Sequence, residues 1–160
     1  MGEVKPDQKP GDGTPPCGLT LVRQEHPDGC GIATAAMLLG IPYAAALDEF
    51  GEEARTRLDR GKGVNEFMLE QLLKRRGFAL LTIYSTFDDG RQQRATWPPE
   101  PLADRHIVLS HNQAGTYHFS VLAGDGTVFD PCHGLYRLAD YHCVCNLTAV
   151  IPVHRMGRSA

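Results

Sequence analysis

In the stretch QEHPDGCGIATAAMLLG, residues 24 to 40, a cysteine stands between two glycines just before an apolar run. Cys30 there immediately precedes the expected helix, where free backbone N–H groups and the positive end of the helix dipole stabilise a thiolate. The same place suits a small apolar packing residue, which is the commoner fate of an isolated cysteine. A thiolate nucleophile needs a base, usually histidine, and the histidine needs an orienting acceptor. Of the seven histidines, His118 stands inside YHFSVLA (117 to 123), followed by Gly124-Asp125-Gly126 and then TVFD (127 to 130).

The register of that hairpin is testable from the pattern. With a three-residue loop at 124 to 126, Ala123 faces Thr127, Val121 faces Phe129 and Ser120 faces Asp130. One face then carries Tyr117, Phe119, Val121, Ala123 and Phe129. The other carries His118, Ser120, Leu122, Val128 and Asp130, with His118 and Asp130 diagonal and about 7 Å apart at Cβ. A two-residue loop would slip the register, move Phe129 away from Phe119 and Val121, and split His118 from Asp130. The plainer alternatives are a satisfied core or rim histidine at 118 and an Asp130 that only starts a turn at Asp130-Pro131. Gln24, six residues before Cys30, has an amide that could join the Cys30 N–H in holding an oxyanion, or could simply be solvated.

The elements that must hold these groups change period midway. Ile32, Ala35, Ala36 and Leu39 define a short buried helix ended by Gly40 and Pro42. Ala46, Leu47, Phe50, Ala54 and Leu58 predict a second helix stopping at Gly61. Val64, Met68, Leu69, Leu72 and Leu73 predict a third over 64 to 76, with Lys74, Arg75 and Arg76 suited to its C-terminal dipole. Glu49, Glu52, Glu53, Arg55, Arg57 and Arg60 read as a solvated helix face stitched by weak pairs. Strands are predicted over 79 to 84, 106 to 110, 117 to 123, 127 to 130 and 143 to 153. Helices first and strands later predict an α+β fold with a mainly antiparallel sheet. Residues 85 to 105, containing WPPEP, are too long for a plain connection and read as a functional loop, with Trp97 either flooring a cleft or anchoring the loop.

Composition bounds the rest. The chain has 160 residues, 42% of them hydrophobic and 22% charged, which suits one domain over 18 to 155. Residues 1 to 17, rich in Pro, Gly and charge, read as a flexible leader, and 156 to 160 as a tail. A net charge of −3 without a basic cluster argues against a nucleic-acid partner. No apolar run reaches the ~20 residues needed to span a bilayer and no signal-peptide core is present, so no membrane partner and a cytoplasmic location are expected, export by a non-classical route remaining open. Five dispersed cysteines predict mostly free thiols. Cys132-His133 and His142-Cys143-Val144-Cys145 supply metal-ligand types, but without a spaced CxxC pair they read as strand thiols, so neither metal nor cofactor is expected.

Gln24, then Cys30-Gly31 opening a helix, then His118-Phe119 in a strand, then Asp130-Pro131 and the trailing HGLYRLADY resemble papain-like cysteine peptidases, above all the bacteriocin-processing, double-glycine-leader peptidase family. The resemblance covers about residues 19 to 153 and implies a papain-like fold, with N-terminal helices packed on the sheet. It implies that Cys30 is the nucleophile, His118 its base, Asp130 the orienter and Gln24 an oxyanion donor. One departure stands out: Gly29 intervenes where the family usually sets Asp next to Cys. The transmembrane and nucleotide-binding parts that accompany such domains in export transporters are not seen here, so a free-standing domain is expected.

The expected function is therefore cleavage of a peptide or isopeptide bond in a peptide or protein substrate. The same constellation could deamidate Gln or Asn, transfer an acyl group, or persist in an inactive peptide-binding module. A long groove would favour protein backbone and a small closed pocket a side-chain amide. His106 and His111 stand in reserve as the base should the hairpin register differ.

Overall fold

The small residues of CGIATAAMLL let one helix be approached from two sides at once. That helix, α1 (Cys30–Leu39), buries Ala35 and Leu38 in one apolar cluster with Leu72, Phe119 and Val121, and Ile32, Ala33 and Ala36 in a second with Tyr43, Ala46, Ala54 and Leu58. Gly40 ends it at φ +67, a left-handed position that costs glycine little. The chain, a computed structural model, is described over residues 18–86, 103–111, 116–141 and 143–156. The leader 1–17, most of the 85–105 segment including Trp97, His142 and the last four residues lie outside the described residues.

Helices α2 (Tyr43–Phe50), α3 (Glu52–Asp59) and α4 (Glu66–Arg75) follow α1. The single helix expected over 46 to 58 is thus two. Gly51, at φ +80 and ψ −162, breaks it, while its N–H still closes on Leu47 O. Apolar residues four apart on either side of the break mimicked one continuous stripe. Asn65 caps α4 by accepting from Met68 N at 2.9 Å.

The strands are β1 (Phe78–Ser85), β2 (Arg105–His111), β3 (Tyr117–Ala123), β4 (Thr127–Asp130), β5 (Gly134–Arg137) and β6 (Val144–Pro152). A 3₁₀ turn at Leu138–Asp140 precedes β6, and α5 (Val153–Met156) follows it. They form a six-stranded sheet in the order β1-β6-β2-β3-β4-β5, every neighbouring pair antiparallel. Helices first and an antiparallel sheet after is the α+β architecture expected from the period change. Strand β5 and the 3₁₀ turn add to the elements that the sequence pattern predicts.

The sheet has two apolar faces. Phe119, Val121, Ala123 and Phe129 face the helices, while Val108, Leu122, Val128 and Leu147 pack on the other side against Tyr136, Leu138 and Tyr141. Cys143 is exposed, outside β6, at φ +61, so it does not alternate with buried Cys145 along one strand as expected. Between Leu109 and Ser110 the β2–β6 pairing shifts, leaving Cys145 as the extra residue, with its thiol donating to Leu109 O at 3.2 Å. Among the described residues no single helix is long and apolar enough to cross a membrane.

Truncating Leu72→Ala, at a fully buried site on α4, is expected to lower stability by about 2–5 kcal/mol. Leu81→Ala, at a side chain 51% exposed on β1, is expected to stay within about 0.5 kcal/mol. Urea unfolding of both variants checks the pair.

Candidate active site

Alternation along β3 and β4 delivers the first two groups. Val121 pairs with Phe129 and Leu122 with Val128, the register of a three-residue loop. Gly126, at φ +89, donates to Ala123 O, and Asp125 Oδ1 accepts from Thr127 N, which closes the turn. His118 and Asp130 consequently share a face, and His118 Nε2 lies 2.9 Å from Asp130 Oδ1. His106 is buried in β2, and His111, at the end of that strand, lines the same cleft as His118.

Asp130 is 1% exposed, so its charge must be met inside the fold. Oδ1 also accepts from Cys132 N at 2.8 Å and His133 N at 3.0 Å, the geometry of an Asx turn, and Oδ2 accepts from the Tyr141 hydroxyl at 2.7 Å. Burial alone would raise this carboxyl, but His118, Tyr141 and the Cys132 amide together hold it down at about 2. Tyr141 in turn is hydrogen-bonded to Ser120 Oγ at 3.0 Å. Burial and then the Asp130 charge push its own pKa up, so the phenol stays protonated and donates.

Cys30 begins α1, which packs on β3. Gly31 makes the close packing possible, since a Cβ there would run into Val64 and Phe119. Half-buried Cys30 lies near enough to the His118 ring to act on its charge, and because Nε2 is engaged by Asp130, Nδ1 is the nitrogen left to face the thiol. Burial alone would lower the His118 pKa, but Asp130 and Cys30 outweigh it and hold the ring up at about 10. The arrangement favours an imidazolium paired with the Asp130 carboxylate.

Gly29 finds its reason in α2. Its φ of −89 is open to any residue, but a Cβ would collide with the Tyr43 hydroxyl and crowd His26 O. Tyr43 is buried, and burial, with the charges of Glu25 and Cys30, pushes its phenol up to about 12. The turn before Cys30 is held by Gly29 N donating to His26 O at 2.9 Å and Asp28 N donating to His26 Nδ1 at 3.1 Å. Gln24 stands beside it. Its backbone N–H donates to Pro131 O at 3.2 Å, tying this segment to the Asp130 turn, as does Arg23 Nη1 on Cys132 O at 3.1 Å. Gln24 Nε2 donates to His26 O at 3.1 Å and Pro27 O at 2.8 Å, so both amide hydrogens are engaged within its own loop. Exchanging its O and N would set an oxygen against two carbonyls, so this amide orientation is the one the contacts allow.

Cys30, His118, Asp130 and Gln24 line one cleft of about 1060 Å³. Residues 57 and 61–66 and the turn before α1 form one wall, and the ends of β2 and β3 with residues 130–141 form the other. Two further lining residues, Arg57 and Tyr141, brace the site. Arg57, expected on a solvated helix face, donates from Nε to Gly63 O at 2.8 Å and holds the 61–63 loop. Tyr141 carried a faint signal only, a tyrosine after Asp130 with Ser120 on the polar face of β3. Among the described residues no group of three or more His, Cys, Asp or Glu could hold a metal ion, and Cys30, Cys132, Cys143 and Cys145 are free thiols.

Among the described residues, helices α1 to α4 against a six-stranded antiparallel sheet give the chain an α+β fold. It is similar in fold to the peptidase domain of Streptococcus ComA, a bi-functional ABC transporter involved in a quorum-sensing pathway, at 15% identity and a TM-score of 0.54, over 82% of this chain and 97% of that one. No protein-family model and no curated protein matches the chain.

Gly29→Ala is expected to cost about 1–3 kcal/mol by overpacking. Gly29→Ala combined with Tyr43→Phe, which removes the colliding oxygen, should recover part of it, and thermal unfolding of the two variants measures the difference. The His118–Asp130 pair also sets a pH window. The raised His118 pKa stabilises the fold fully below about 6.5, the ordinary histidine value, and this is lost as pH rises through about 10. The depressed Asp130 pKa stabilises it above the ordinary 3.8, and this is lost as pH falls through about 2. Denaturant midpoints of the native chain should therefore fall on both sides of about pH 4–6.5 more steeply than those of His118→Gln.

Proposed function

We propose that this protein is a thiol hydrolase that cleaves a peptide or isopeptide bond, with Cys30 as nucleophile, His118 as acid and base, Asp130 as orienter and Gln24 as an oxyanion donor. The observation that carries the reading is the 2.9 Å bond between the His118 ring and the buried Asp130, with Cys30 beside the same ring and all three lining one cleft of about 1060 Å³. The fold shared with the ComA peptidase domain supports the same class of reaction.

In this mechanism the Cys30 thiolate adds to the scissile carbonyl while the imidazolium stands ready at Nδ1. The oxyanion meets the Cys30 backbone N–H, one of the donors that a helix start leaves unpaired. Gln24 would join by releasing one of its two loop carbonyls and turning one amide hydrogen to the oxyanion. His118 gives its proton to the departing amine, leaving an acyl thioester on Cys30. Water then adds with its proton passing to His118, and the thioester collapses to the free acid and the thiolate. Throughout, Asp130 keeps Nε2 protonated and the ring aimed.

The size of the cleft favours a polypeptide over a lone side-chain amide. One observation favours a peptide-binding module instead: the Gln24 amide is engaged within its own loop.

Labelling with an alkylating thiol probe, with peptide cleavage read by mass spectrometry on a peptide library, decides between the two. Cys30 is expected to take the label at pH 6 far faster than an ordinary thiol. Cys30→Ala should lose labelling and cleavage, and His118→Ala should cut the labelling rate about 100-fold or more. Label taken by Cys132 or Cys143 in its place, or a Cys30 no faster than a free thiol at pH 6, sinks the peptidase reading.

A further inference from the structure

The Asp130 carboxylate has two oxygens with different work. Oδ1 takes three donors, His118 Nε2 and the amides of Cys132 and His133. Among the described residues Oδ2 takes one, the Tyr141 hydroxyl at 2.7 Å. In a site 1% exposed an Oδ2 without that donor would be a buried, unsatisfied charge. The carboxyl would then take up a proton more readily or swing until Oδ2 found another donor, and His118 Nε2 is one of those in reach.

The direction of each proton follows from what surrounds it. Ser120 Oγ lies 3.0 Å from Tyr141 Oη. Since Tyr141 gives its proton to a carboxylate, Ser120 must donate to Tyr141. Ser110, paired with His118 across β2 and β3, donates its hydroxyl to His118 O at 3.4 Å. Two hydroxyls in sequence, Ser120 on the His118 face of β3 and then Tyr141, therefore end on Oδ2, and such chains strengthen their last member. The other titratable groups about this carboxylate and its cleft include His118 on β3, Cys30 on α1, Cys132 and His133 in the turn after β4, Tyr136 on β5 and Asp140 in the 3₁₀ turn, with Arg23 reaching Cys132 O from the segment before α1.

We propose that Tyr141 is a positioning residue of this site: by holding Oδ2 it locks the Asp130 carboxylate with Oδ1 toward His118, and so maintains the imidazolium that faces Cys30. The inference rests on the thiol-hydrolase reading for its consequence, but the contact it concerns is measurable without any substrate. Tyr141 touches no reacting atom, and its action passes through Asp130 and His118.

Tyr141→Phe in the full chain removes the oxygen and keeps the ring. Carbon-13 NMR is expected to find the Asp130 carboxyl titrating at least about one unit higher than in the native chain. The His118 Nε2 proton should lose its downfield shift at pH 5, and alkylation of Cys30 by iodoacetamide should slow about tenfold, the factor that a hydrogen bond to a charged group is worth. The slowing should grow as pH falls, because Asp130 then protonates within the working range. A merely structural tyrosine would lower the melting temperature and leave the Asp130 titration and the alkylation profile where they are, which overturns the proposal. Ser120→Ala, which leaves Tyr141 and its hydroxyl in place, should shift Asp130 in the same direction by less, and decides the matter if Tyr141→Phe does not fold. If native Cys30 alkylates like an ordinary thiol, the hydrolase reading falls and the Asp130 titration alone judges Tyr141.

Discussion

A carboxylate that is ionised and almost wholly out of water constrains everything near it. Asp130 sits where water cannot hydrate it, and a lone ion there would neutralise itself by taking a proton. What keeps it charged is convergence. A ring comes from β3, two amides from the turn that follows β4, and a hydroxyl from beyond the 3₁₀ turn. None of these segments can shift far without leaving a charge uncompensated. The catalytic reading depends on that rigidity, since a base works through its aim as much as through its basicity.

The helical layer meets the sheet under a comparable restriction. Cys30 stands beside His118 because α1 lies close against β3, and small side chains on both sides of α1 allow it. Gly31 leaves room for Val64 and Phe119, and Gly29 leaves room for Tyr43. The two glycines flanking Cys30 thus serve packing, one toward the sheet and the 61–65 loop, the other toward α2. Neither needs a positive φ. Gly29, a departure from the usual Asp-Cys pairing of the family the sequence resembles, is thereby matched by a tyrosine that fills the space a side chain would have taken.

How much was legible beforehand depended on how local the determinant was. Period-two alternation over YHFSVLA and TVFD carries its own register, because a slip by one residue moves every apolar side chain to the wrong face. The pairing of His118 with Asp130 could therefore be read from some thirteen residues. The helix break at Gly51 could not, since Phe50 and Ala54 keep a helical spacing across it. Tyr141 was hidden for another reason: it follows a short 3₁₀ turn without periodicity, and its bond to Asp130 is purely tertiary. The space at Gly29 depends on the placement of α2, and the engagement of Gln24 on loop carbonyls that no spacing rule specifies.

The four groups do not come from equally rigid parts of the molecule. His118 and Asp130 are on neighbouring strands of one sheet, joined by a tight turn, so their separation is fixed by backbone pairing. Cys30 belongs to the helical layer, so its distance from the ring follows the side-chain packing between α1 and β3. Gln24 belongs to neither. It is held by a backbone bond to Pro131 and by side-chain bonds to its own loop, contacts that can be exchanged without disturbing the core. On the proposed thiol-hydrolase reading, the proton-transfer pair is therefore the stiffest part of the site, the nucleophile is positioned by packing, and the amide is the part free to adjust when a carbonyl arrives. That division suits the chemistry, because the oxyanion exists only in the tetrahedral state and its donor is needed only then.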